Sequence, residues 1–282
     1  MPLPVNRRLL RRASSIVALA ALAWSASAPL LAREGGFDAA ALEAWARAHG
    51  GVDGPRTYAY GGTVYDVPGG KILATVDGWQ LARTFPGGAR DPGAWYVVRR
   101  AFLLYRAPDS GEILARYPDV RSRSAPVPVL SIVRFALRGD RVVTSGVSGV
   151  RGATREVALP EQLGAAREDD AWVFLRVLSP PDPQQKPIEL TEIVARDGGT
   201  DAAPRARFVM TKIAENWGFL PPGGRHVLHL SWRPVAGLES VAPVLRQLVT
   251  AEAPSALASL PASLEAAYAE LGLPLPSRPI AP

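Results

Sequence analysis

Between Arg56 and Trp232 the hydrophobic positions alternate with polar ones or run continuously. Helical spacing shows only before and after that stretch. The densest run is Trp95 to Arg106, WYVVRRAFLLYR. One face carries Trp95, Val97, Arg99, Ala101, Leu103 and Tyr105; the other carries Tyr96, Val98, Arg100, Phe102, Leu104 and Arg106. Both faces are mostly apolar, which predicts a strand covered on both sides, as in a barrel or a sheet with helices packed on it. Pro108, Asp109, Ser110 and Gly111 then supply a tight turn, because proline presets φ, Asp and Ser bond nearby amides, and glycine accepts a positive φ. A short return strand reaches Tyr117.

The same reading predicts about eleven strands. Before the hairpin lie Arg56–Val67, Lys71–Val76 and Trp79–Phe85, punctuated by Pro68-Gly69-Gly70 and Pro86-Gly87-Gly88. After it come Val129–Leu137, Arg141–Ser145, Ala153–Leu159, Ala171–Leu178, Pro187–Arg196, Arg205–Ile213 and Arg225–Trp232. Arg138-Gly139-Asp140 is expected to be a hairpin turn rather than an adhesion tripeptide. Asp38 caps a helix that ends at His49, where a cation is mildly favoured and a structural role is expected. Val241–Glu252 and Pro261–Leu271 are the C-terminal helices, followed by an extended tail. The fold expected is mainly β: one strongly curved antiparallel sheet or barrel-like domain over 33–282, with an N-terminal and two C-terminal helices packed on it.

Tyr105-Arg-Ala-Pro-Asp-Ser-Gly-Glu-Ile-Leu114, followed by Tyr117, resembles the hairpin of the secreted bacterial domain-of-unknown-function family 1838. Tyr105, Pro108, Gly111, Glu112 and Leu114 fit that pattern. Ala101 stands where the family has Glu, Ala107 where it has Asp, and Tyr117 where it has Trp. The resemblance implies export and a β-rich domain, and no particular activity. If the family's acidic residues are catalytic, this chain lacks two of them.

Composition changes the picture in three places. The formal charge is +6. Arg7, Arg8, Arg11 and Arg12 contribute four of those charges in the first 32 residues, which hold no acid, and six less four leaves +2 for the rest. So small an excess predicts no nucleic-acid partner. Residues 1–32 have a basic start, an apolar run from Ile16 to about Trp24 and then small residues, the pattern of an export signal. Asn6-Arg7-Arg8-Leu9-Leu10-Arg11 approximates the form read by the twin-arginine export machinery. The apolar run falls short of the ~20 residues a spanning helix needs, so no integral membrane segment is expected after processing, and the location expected is periplasmic or extracellular. The chain has no cysteine, which excludes disulfides, thiolate metal sites and thioether-linked haem.

Candidate chemistry is sparse. His226 and His229 are three apart in a strand and so point to opposite faces, which makes a shared metal unexpected; no metal or other cofactor is expected. His229 is a candidate acid/base. Gly146-Val147-Ser148-Gly149 falls one residue short of a nucleophile elbow and has no helix after it. The paired glycines suit turns and bulges rather than a phosphate loop.

Arginine set among apolar strand positions is the strongest pattern. Arg100 lies between Val98 and Phe102, Arg134 between Ile132 and Ala136, Arg176 between Phe174 and Leu178, and Glu192 between Leu190 and Val194. The opposite faces, Val133/Phe135, Val173/Leu175 and Ile193/Ala195, are cleaner and should meet the core helices. The four charged residues would then line one internal pocket, with Glu192 as an ion-pair partner or a base. The competing expectation puts the arginines on the outer face with their stems along apolar surface. Trp217, in an aromatic, Gly/Pro-bounded loop, is a candidate ligand contact. Three functions fit: binding of a small apolar or aromatic acid inside the barrel; cofactor-independent hydrolysis, isomerisation or lyase chemistry on such a molecule, using Glu192 or His229; or a structural envelope role.

Overall fold

A computed structural model of the chain describes residues 37–117, 129–139, 141–150, 153–158, 161–178, 187–196, 205–214, 220, 225–252 and 259–275. The expected export signal and Trp217 lie outside them.

Among the described residues, twelve antiparallel strands form one sheet. In chain order they are β1 (Arg56–Val67), β2 (Ile72–Pro86), β3 (Ala94–Arg106), β4 (Ile113–Tyr117), β5 (Val129–Arg138), β6 (Arg141–Val150), β7 (Ala153–Ala158), β8 (Glu161–Glu168), β9 (Ala171–Leu178), β10 (Pro187–Arg196), β11 (Arg205–Ala214) and β12 (Arg225–Val235). Their spatial order is β7-β6-β5-β3-β2-β1-β12-β11-β10-β9-β8. Ala94 to Ala101 of β3 pairs with β5, and Leu103 to Arg106 of the same edge pairs with β4. At the far end β8 comes back alongside β6, so the sheet curls into a nearly closed barrel.

The helix α1 (Ala39–His49) fills that curl. Phe37, Leu42, Trp45 and Ala48 share one buried cluster with Tyr58 of β1, Val97 of β3, Phe135 of β5, Phe174 of β9, Ile193 of β10 and Phe208 of β11. Side chains from both halves of the sheet reach one helix only if the helix is inside. Asp38 caps its start, its carboxylate accepting from the Ala41 amide at 2.7 Å. Strand side chains donate to carbonyls of its last turns. Thr84 Oγ1 donates to the Ala46 carbonyl at 3.0 Å and Tyr58 Oη to that of Ala48 at 2.6 Å. Burial pushes the Tyr58 phenol up to about 12, so it remains a donor.

The outer face carries the C-terminal helices. In and before α2 (Pro243–Glu252), Val241, Leu245 and Val249 cover Trp79, Phe102 and Leu104. At α3 (Leu264–Glu270), Ala267, Tyr268 and the preceding Leu260 cover Tyr96, Val98 and Ile132. This explains why β3 is apolar on both sides: Trp95 and Val97 meet the interior, and Tyr96, Val98, Phe102 and Leu104 meet α2 and α3. Ion pairs fasten α3 at both ends, Arg100–Glu270 at 2.5 Å and Arg90–Glu265 at 3.6 Å. Among the described residues no helix is long and apolar enough to cross a membrane.

Two expectations are corrected. Lys71–Val76 and Trp79–Phe85 are one strand, because Asp77 and Gly78 continue the ladder against both Gly61-Tyr60 and Leu104-Leu103. A Cβ at Gly78 would strike the Leu103 side chain and the Phe102 carbonyl, so the glycine marks a close approach rather than a turn. And β8, EQLGAARE, was not expected: its small residues carry little strand preference, and pairing along β9 sets its conformation. The β3–β4 turn forms as expected, with Gly111 at φ 71°.

Candidate ligand site in the barrel interior

Strand register assigns each side chain to a face. Inward on β1, β12 and β11 lie Tyr60, Trp232 and Phe208, directly opposite one another in the ladder. Their rings stack in a row, Tyr60 on Trp232 at 5.2 Å and Trp232 on Phe208 at 4.8 Å. On β9, Trp172 stacks on Phe174 at 5.8 Å. Trp95, Trp172, Trp232 and Tyr60 face inward, pack against the buried cluster and are only partly buried, so part of each ring stays accessible.

Charge enters the interior from two strands. Arg99 lies inward on β3, opposite Ala82 and Ser131, and its Nε donates to Ser131 Oγ at 3.1 Å. It has no carboxylate partner among the described residues. Arg176 lies inward on β9, opposite Leu163 and Thr191. Thr191 Oγ1 and Trp45 Nε1 are buried and have no partner among the described residues. On the wall, Tyr60 Oη donates to Gln80 Oε1 at 2.5 Å.

His49, the last residue of α1, sits between these groups. Its ring packs on Trp45 at 4.3 Å, edge-on to Phe208 at 5.3 Å and near Phe135 at 6.0 Å. Its Nδ1 is 2.9 Å from the Trp45 carbonyl; a carbonyl only accepts, so Nδ1 carries the proton. Protein surrounds the ring, yet it keeps some accessible surface, and Nε2 is not among the sealed unpartnered atoms. That nitrogen therefore opens on the interior. Burial lowers the His49 pKa to about 3; the bond to Trp45 opposes this, and the charges of Arg99 and Arg176 add to it. The cation expected at this helix end is thus a neutral imidazole.

This has a measurable consequence for stability. The ordinary histidine value is 6.5 and the folded value about 3. Between them the unfolded chain binds a proton that the folded chain refuses, so stability falls as pH drops below 6.5. The loss is about 1.4 kcal/mol per pH unit, or about 2 kcal/mol at pH 5. Denaturant unfolding at pH 7.5 and pH 5 should show it in the wild type, and His49→Gln should lose about 2 kcal/mol less. Equal losses in both proteins would mean that His49 is not the group responsible.

The four charged residues expected to share a pocket do not. Arg100 and Arg134 lie outward on β3 and β5: Arg100 pairs with Glu270, and both Arg134 Nε and Nη2 bond Asp91, at 2.6 and 2.8 Å. Their outward neighbours are apolar because α3 covers them, which sequence alternation alone does not distinguish from an inward face. Arg176 is inside. Glu192 pairs in the ladder with Leu175 and Val209, which are out of phase with the inward Phe174 and Phe208; its side chain lies outside the described residues. His229 is exposed and outward, 3.3 Å from Thr211 Oγ1, while His226 is buried on the opposite face. Arg99 is not among the site residues expected from the sequence, and the role expected for His49 is structural. Compared with known proteins, the chain matches no family model, no curated protein and no solved structure.

Proposed function

We propose that the protein binds a small organic anion with an aromatic or apolar body inside its barrel, after export by the route that the N-terminal segment suggests. The observation that carries this reading is Arg99. It is an inward guanidinium with a hydroxyl but no carboxylate among its described partners, and it shares the interior with Arg176 and with stacked aromatic rings. A guanidinium fork matches a carboxylate, and a water-poor surround strengthens that pairing. Trp232, Tyr60 and Trp172 offer flat apolar surface to the rest of the ligand.

Titration of the purified protein with benzoate, indole-3-acetate and decanoate, followed by tryptophan fluorescence and calorimetry, tests the reading. At least one acid should bind, its neutral amide should bind at least tenfold more weakly, and Arg99→Met should lower the affinity for the acid about 10- to 50-fold. Absence of binding by every acid, or affinity indifferent to Arg99→Met, would overturn it.

A further inference from the structure

Several groups of the interior can donate but not accept. Arg99 and Arg176 can only donate, as can the Trp45 indole. The hydroxyls of Thr144 and Thr191 and the Nδ1 of His226, unpartnered among the described residues, are sealed, whereas His49 Nε2 is an acceptor with accessible surface. Its partner nitrogen is committed to the Trp45 carbonyl, so the tautomer is fixed by the helix that carries it. Ring contacts with Trp45, Phe135 and Phe208 hold the imidazole in place, which leaves its open edge toward the ligand space. A bare carboxylate brought to that edge would set lone pair against lone pair. A ligand O–H would instead find an acceptor already aimed and desolvated.

We propose that the ligand is an acid carrying its own hydroxyl, a phenolic or aliphatic hydroxy acid, with the carboxylate on Arg99 and the O–H donating to Nε2 of His49. This rests on the anion-binding reading above. The arrangement discriminates because a buried acceptor left unpaired weakens any ligand that lacks the donor. The imidazole stays neutral over the ordinary pH range, since its proton affinity is depressed by burial and by the two arginines, so the acceptor does not switch off near neutrality.

The test compares matched sets on the wild-type protein: benzoate with its three hydroxy isomers and their methyl ethers, and decanoate with 3-hydroxydecanoate. At least one hydroxy acid should bind tenfold or more tightly than its parent acid, and more tightly than its methyl ether where one is tested. His49→Phe, which keeps a ring but has no acceptor, should remove that preference, so that parent and hydroxy acids bind it alike. His49→Gln should retain part of it. If parent and hydroxy acids bind alike in the wild type, or the preference survives in His49→Phe, the inference fails and the anion-binding reading stands. If no acid binds, both fail.

Discussion

Replacing Trp45 by alanine should cost about 4 kcal/mol of folding stability, the size expected for deleting a fully buried large aromatic. Trp45 is 0% exposed and meets Phe174 edge-on at 5.4 Å and Phe135 edge-on at 5.9 Å. Those two rings come from β9 and β5, strands on opposite halves of the curled sheet. The indole therefore joins walls that the ladder itself leaves far apart, and its loss opens a cavity that neither wall can collapse into without dragging α1. Trp45→Phe separates volume from polarity. Nε1 is buried with no partner among the described residues, so phenylalanine removes an unsatisfied donor while keeping most of the ring. Its expected cost is within about 1 kcal/mol. Denaturant unfolding of both variants checks this. A loss below about 1 kcal/mol for Trp45→Ala would show that α1 is not what holds the barrel together.

Much of this architecture was legible because two-sided apolar strands have few places to go. The run from Trp95 to Arg106 demanded cover on both faces, and the helices at the two ends of the chain were the available covers. What the run could not reveal was which cover lies inside. On β5 and β10 the cleaner face, Val133/Phe135 and Ile193/Ala195, does meet α1. On β9 the assignment reverses: Trp172 and Phe174 point inward with Arg176, and the cleaner Val173/Leu175 face points out. Both faces of β9 are apolar, so alternation holds no information about direction there; the register with β10 supplies it.

The interior site was harder to see for a related reason. Arg99 and Arg100 are adjacent, so one must face in and the other out, and local sequence cannot rank them. Arg100 has Val98 and Phe102 as same-face neighbours and looked the more buried. The structure resolves this through register: Arg99 pairs with the inward Ala82, and Arg100, on the other face, meets Glu270, 170 residues away. His49 carried a misleading local signal, since a histidine at a helix C-terminus ordinarily favours the charged form. The barrel around it outweighs the helix end.

Asp91→Asn should cost about 3 kcal/mol, and the reason lies in what it leaves behind. Asp91 accepts two bonds from Arg134 and one from Tyr96 Oη, at 2.7 Å, beneath the outer surface; the Asp91 and Arg134 side chains are 9% and 6% exposed. Burial works against the ionised carboxyl, but the bonds from Arg134 and Tyr96 and the Arg134 charge outweigh it and hold the group below the usual carboxylate range. Asparagine keeps the shape and one acceptor but strands a covered guanidinium. Adding Arg134→Met should therefore restore most of the loss, because the cost comes from the unpaired charge more than from the pair's net worth. The acid limb separates this pair from His49. A lowered carboxyl contributes stability that is present above its unfolded value of about 4 and lost as pH falls through the folded value, so Asp91→Asn lacks that limb. The His49 loss starts at 6.5 and is untouched by Asp91→Asn. Unfolding curves from pH 7.5 to pH 3 should show the His49 loss alone between 6.5 and about 4 and both losses below that, each absent from its own variant. An Asp91→Asn cost under about 1 kcal/mol, or no recovery with Arg134→Met, would mean that the charge is answered by water rather than by its partner.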